Sequence, residues 1–185
     1  MTERKPPPTH DELRADIHVQ LASWKMLGAK GPQLIPATVL RAGIDCVTQP
    51  LPKRYKKRAA KHCYANAAAL VSRSHGRLTY VEGLAKRAGG MVVDHAWAID
   101  AQNRVIDPTW DQPEDAVYIG VPIDRATYED LTLFDGSSSA FQSLFGLRVD
   151  FLLKLNPALA EIIDAPATSN LTQPLDAAPS WRDDL

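Results

Sequence analysis

The sequence predicts an α+β domain in which a mostly antiparallel sheet is packed against N-terminal helices. Three observations carry this expectation. Apolar residues fall at helical spacing in the first third, short strand-like segments follow Gly76, and no helix-length segment separates those strands to act as a parallel crossover. With 185 residues, 45% apolar and 23% charged, the chain is sized for one core and cramped for two.

Thr9 is placed to cap a helix opened by Asp11 and Glu12, along which Leu13, Ile17, Leu21 and Trp24 recur until Gly28. A second short helix is expected over 36–44. Six of the nine residues from Lys53 to Lys61 are Lys or Arg, and the apolar segment Tyr64 to Val71 follows. Because no Ser, Thr, Asp or Asn occurs between Pro52 and Cys63, this stretch reads as one helix with a basic approach, beginning near Lys53. Strands are then expected at 78–81, from Met91 to Ile99, at Val105-Ile106 and over 117–121, as a meander. Helical spacing returns after Asp124. Pro6-Pro7-Pro8 and the Pro-, Ala-, Ser- and Asp-rich C-terminus mark 1–9 and 166–185 as disordered or loosely docked tails. A single domain over 10–165 remains. Trp181, with Leu171 and Leu175, is where the C-terminal tail would dock, on a partner protein or on the domain itself.

Several function classes are excluded by composition. A net charge of -1 argues against a general nucleic-acid binder, and no apolar run approaches the ~20 residues of a membrane span. Cys46 and Cys63 are too few for a disulfide framework or a four-cysteine zinc site. With no apolar leader after the charged N-terminus, the expected address is reducing and cytoplasmic.

Chemistry is concentrated in Cys63-Tyr64-Ala65-Asn66, Asp94-His95-Ala96-Trp97 and Asp107-Pro108-Thr109-Trp110. A thiol nucleophile needs a base, and that imidazole needs a carboxylate or amide to orient it. His95 and Asp107 lie equidistant from Ala101 in the polar stretch 100–104. A hairpin loop centred on Ala101 would set them directly opposite each other on one face, whereas a two-residue turn at Gln102-Asn103 would oppose Asp107 to Ala98 and turn it to the other face.

A helix bearing Cys63, a strand carrying His95-Ala96-Trp97 and a following strand with Asp107-Pro108-Thr109 together resemble the transglutaminase-like cysteine enzymes of the papain-like fold. The resemblance covers roughly 60–122. It implies Cys63 as nucleophile, His95 as general base, Asp107 as its orienting partner and a protein or peptide-like amide substrate. No cofactor is called for. Trp97 and Trp110 are candidates for the substrate-facing wall, and Gln49 and Tyr55 are upstream candidates for an oxyanion donor. In such folds the nucleophile opens its helix, so a helix from Lys53 would leave Cys63 mid-helix, away from the free N–H groups.

Plainer readings stand beside these. Cys63, Ala67, Leu70 and Ser74 share a helical stripe that a core cysteine would also occupy. A metal site on His62 and Cys63 is poor, because adjacent helical side chains point about 100° apart. The basic stretch 53–61 could also form a rim that steers an acidic substrate toward Cys63. The alternative to an enzyme is a non-catalytic module of the same fold, with 53–61 contacting a polyanion. It requires a buried Cys63 with no imidazole in reach.

Overall fold

The computed structural model describes residues 6–26, 34–133 and 139–141. The first helix, α1 (His10–Met26), opens with a reciprocal capping box. Glu12 N–H donates to Thr9 Oγ1 at 3.2 Å, and Thr9 N–H donates to the Glu12 carboxylate at 2.8 Å. Helix α2 (Leu34–Ala42) is followed at once by a two-residue strand, β1 (Ile44–Asp45), so Ile44 leaves the expected 36–44 helix for the sheet. Arg14 of α1 grips Asp45 with both guanidinium nitrogens, at 3.1 and 2.5 Å.

Helix α3 spans Cys63–Ser72, and the basic stretch before it is not helical. Lys61 adopts a left-handed backbone with φ 66°, which breaks any helical run two residues ahead of Cys63. One local turn bond and two bonds to other parts of the fold hold the chain in this path. Tyr55 N–H donates to Pro52 O at 2.8 Å, Arg58 N–H to Pro108 O at 2.8 Å, and the Asn66 side-chain amide to Ala59 O at 2.7 Å. The expectation of a helix from Lys53 is therefore corrected: local helix propensity loses to anchoring, and Cys63 becomes the first helical residue.

Strands β2 (Thr79–Arg87), β3 (Val93–Ile99), β4 (Val105–Ile106) and β5 (Ala116–Ile123) complete a five-stranded sheet in the order β1-β5-β2-β3-β4. Every paired strand is antiparallel. The meander extends only through β4; β5 crosses back to pair with β2, against the expected simple succession. Helix α4 (Arg125–Leu133) follows, with Asp124 Oδ1 accepting from Thr127 N–H at 3.0 Å at its start.

The β3–β4 hairpin is centred on Gln102, not Ala101, because Ile99 pairs with Val105 and Ala98 with Ile106. Asn103 takes the left-handed position (φ 56°) that ends a three-residue loop, with its N–H donating to Asp100 O at 2.9 Å. Extending that register sets Trp97 opposite Asp107. His95 and Asp107 are consequently diagonal neighbours, not a direct pair. A shift of two residues preserves the face, so the two side chains still meet.

The sheet curls, and one short segment binds both of its outer edges. Ile44 and Asp45 pair with Gly120 and Ile119 on β5, and Cys46 N–H donates to Tyr118 O at 3.1 Å. Val47 then bridges to the β4 side, with its N–H on Asn103 O at 2.9 Å and its carbonyl accepting from Val105 N–H at 2.8 Å. The enclosed face is filled by Cys46, Val81, Trp97, Ile99, Val105 and Tyr118. The opposite face packs Leu84, Ala96, Ile119 and Ile123 against Leu13 and Ile17 of α1, Val39 of α2 and Ala67 of α3. On that side the buried Glu82 carboxylate anchors Ser139–Phe141, accepting from Ser139 Oγ at 2.9 Å, Phe141 N–H at 3.0 Å and Ala140 N–H, and from Tyr80 Oη at 2.7 Å. No helix among the described residues is long and apolar enough to cross a membrane. The tail 166–185, with its Trp181 docking point, lies outside the described residues, as does the end of the 10–165 span.

Gly120 exists to admit Trp97. A Cβ there would lie 2.6 Å from the Trp97 ring and 2.7 Å from Val81 Cγ1. Gly120→Ala should therefore lose about 1–3 kcal/mol of stability by overpacking, read as a lower urea midpoint. An unchanged midpoint would show that the enclosed face has slack.

Candidate active site

The site forms where the start of α3 meets β3 and the turn after β4. His95 and Asp107 are buried, at 3% and 0% exposure, while Cys63 is half-buried. The Asp107 carboxylate is satisfied on all sides. Oδ2 accepts from His95 Nε2 at 2.8 Å and Tyr118 Oη at 3.1 Å; Oδ1 accepts from Thr109 N–H at 2.7 Å and more weakly from Trp110 N–H at 3.4 Å. Pro108 sits inside this turn, where it forces Asp107 extended and supplies no competing donor.

With Nε2 taken by Asp107, Nδ1 is the nitrogen left for Cys63, whose side chain lies near enough to act on the imidazole. Burial alone would lower the His95 pKa. The hydrogen bond to Asp107 with its charge, and the neighbouring Cys63 side chain, outweigh it and push the imidazole up to about 9. Burial likewise works to raise Asp107, but the bond and charge of His95 and the donors Thr109 and Tyr118 hold it below the usual carboxylate range. Tyr118 moves the other way: burial and the adjacent Asp107 charge raise its hydroxyl well above an ordinary tyrosine. It therefore stays a donor.

Cys63 opens α3 directly after His62, which provides no side-chain cap, and the first amide to bond back is Asn66 N–H, to His62 O at 2.8 Å. The N–H groups of the first turn thus converge beside the thiol, with the positive end of the helix dipole. Asn66 ties the assembly together. Its side-chain amide donates to Ala59 O and, at 3.1 Å, to Thr109 Oγ1, which links the helix that begins at Cys63 to the Asp107 turn.

Two of the expected wall residues part company. Trp97 is completely buried in the enclosed core with Cys46, and it offers no surface to a substrate. Trp110 is half-exposed and stacks on His95, with ring centroids 4.3 Å apart and a 20° tilt. The oxyanion candidates are engaged elsewhere: Gln49 donates to Val105 O at 3.0 Å, and Tyr55 packs on the cluster of Leu78, Ala98 and Ile106. Tyr118, Asn66 and Thr109 were not assigned roles from sequence. Strand alternation puts Tyr118 on the enclosed face, but nothing local signals that its hydroxyl meets a carboxylate. Burial pushes the other thiol, Cys46, up to about 12. Among the described residues, no three His, Cys, Asp or Glu side chains are grouped as a metal would need.

The chain matches no protein-family model, no curated protein and no solved structure.

The perturbed imidazole makes stability depend on pH. Its folded pKa, about 9, exceeds the ordinary 6.5, so its contribution is complete below pH 6.5 and is lost as pH rises toward 9. The melting temperature should fall over that interval in the native protein and stay nearly level in His95→Gln, as followed by circular dichroism. Parallel profiles would place the titration elsewhere. Tyr118→Phe removes a hydrogen bond to a buried charge and should cost about 1.5–3 kcal/mol in urea unfolding; a smaller loss would mean Asp107 is held without it.

Proposed function

We propose that this chain is a thiol hydrolase or acyltransferase of transglutaminase-like, papain-like architecture. Its substrate would be an amide or thioester of protein or peptide-like character. The observation that carries this reading is a single imidazole bonded to a buried carboxylate and set beside a half-buried thiol at a helix start.

His95 takes the Cys63 proton, and the thiolate attacks the substrate carbonyl carbon. The resulting oxyanion faces the first-turn N–H groups of α3, which are fixed in place before the reaction begins. Collapse of the intermediate breaks the bond to the leaving amine or thiol. His95 returns its proton to that group, leaving an acyl-Cys63 thioester. Water or an acceptor amine then gives a proton to His95 and attacks the thioester, and the thiol is restored as the product departs. Throughout, Asp107 is a positioning residue: it holds the ring orientation and stabilises the imidazolium. The non-catalytic alternative calls for a buried Cys63 with no imidazole in reach, and the present arrangement is the reverse.

Iodoacetamide separates these readings. Cys63 should alkylate well before Cys46 at neutral pH. His95→Ala should abolish the advantage, and Asp107→Asn should reduce it with the fold retained. Fast labelling that survives in His95→Ala would end the mechanism.

A further inference from the structure

The imidazole–indole stack at the site does not end at Trp110. The Arg87 guanidinium lies over the Trp110 ring, 4.4 Å from its centroid. An imidazole stacked at 4.3 Å fills one face of the indole, so the guanidinium takes the other, and the order is His95, Trp110, Arg87. Arg87 ends β2 opposite Ala116, on the same face as Gly83, which pairs with His95. The backbone therefore aims this cation along the column of rings that includes the proposed base.

Arg87 is exposed, and among the described residues no carboxylate lies within ion-pair distance of it. Its sequence neighbour makes the contrast, since Lys86 is paired with Asp16 of α1. A guanidinium stacked flat on an indole keeps its edge N–H donors free, in the fork geometry that matches a carboxylate. The stack also limits the rotamers lost when a ligand is bound. Trp110 thus presents a cation at a fixed place two layers from the imidazole.

Resting on the thiol-enzyme reading above, we infer that Arg87 is a specificity-determining residue that binds a carboxylate of the substrate, an acidic side chain or a chain terminus close to the bond attacked by Cys63. Asp94 precedes His95 in β3 and points to the opposite face of the strand, exposed and toward the side of Tyr64. The substrate's anionic group accordingly belongs on the Trp110 side.

The test uses two maleimides of equal length, 3-maleimidopropionate and its neutral methylamide, with Cys63 modification timed by mass spectrometry at low ionic strength. The anionic probe should react about three- to ten-fold faster, a preference that salt near 0.5 M should largely erase. Arg87→Gln should bring the ratio close to one, whereas Arg87→Lys, which keeps the charge but loses the stacked fork, should retain only part of it. Lys61→Gln should leave the ratio unchanged. A ratio of one in the native protein, a ratio untouched in Arg87→Gln, or a ratio lost in Lys61→Gln alone would each overturn the assignment to Arg87. The underlying thiol-enzyme reading fails separately, if the neutral probe labels Cys63 no faster than Cys46.

Discussion

A carboxylate removed from water must find all its hydrogen bonds within the protein, and Asp107 finds four. Two come from side chains on β3 and β5, and two from backbone N–H groups of its own turn. Leaving any one unmade would strand buried charge at a cost of about 1–3 kcal/mol or more. Sheet curvature, the turn at Pro108 and the His95 ring orientation are thereby coupled. The sheet brings Tyr118 and His95 to the same point because β5 crosses back to β2 beside β3, an order that places three strands around one carboxylate.

The position of Cys63 rests on a second constraint, the strapped loop before α3. Lysine in the left-handed region costs of order 1 kcal/mol, so Lys61 holds φ 66° only because its surroundings impose it. Asn66 and Arg58 impose it by fastening the loop to α3 and to Pro108. A helix started at Lys53 would gain propensity and lose both anchors. It would also bury the amides that now converge beside Cys63. The loop and the Asp107 turn are held by the same few bonds, so thiol and imidazole are placed relative to each other and not independently.

The pairing of His95 with Asp107 was legible in the sequence because side-chain direction in a hairpin depends on parity. A loop centred on Gln102 instead of Ala101 moves the partner by two residues and keeps it on the same face. Helix α1 was legible from Thr9 and its acidic first turn, since capping is a local interaction. By contrast, the start of α3 is set by contacts to Pro108 and Thr109, more than forty residues away, and propensity carries no trace of them. Trp97 and Trp110 look alike in sequence. Only Gly120, which opens room for the first indole, and the hairpin's exit, which leaves the second beside His95, tell core from wall.

Residues 44–47 exchange hydrogen bonds with β5 on one side and with the β4 hairpin on the other, which has a consequence for recognition. Where β5 and β4 would otherwise offer open backbone groups near Tyr118 and Val105, the chain has already used them. Along those stretches an extended peptide gains no ladder by adding itself as another strand, the mode that reads main chain and tolerates many sequences. A chain that comes up against those stretches meets side chains and not open backbone groups.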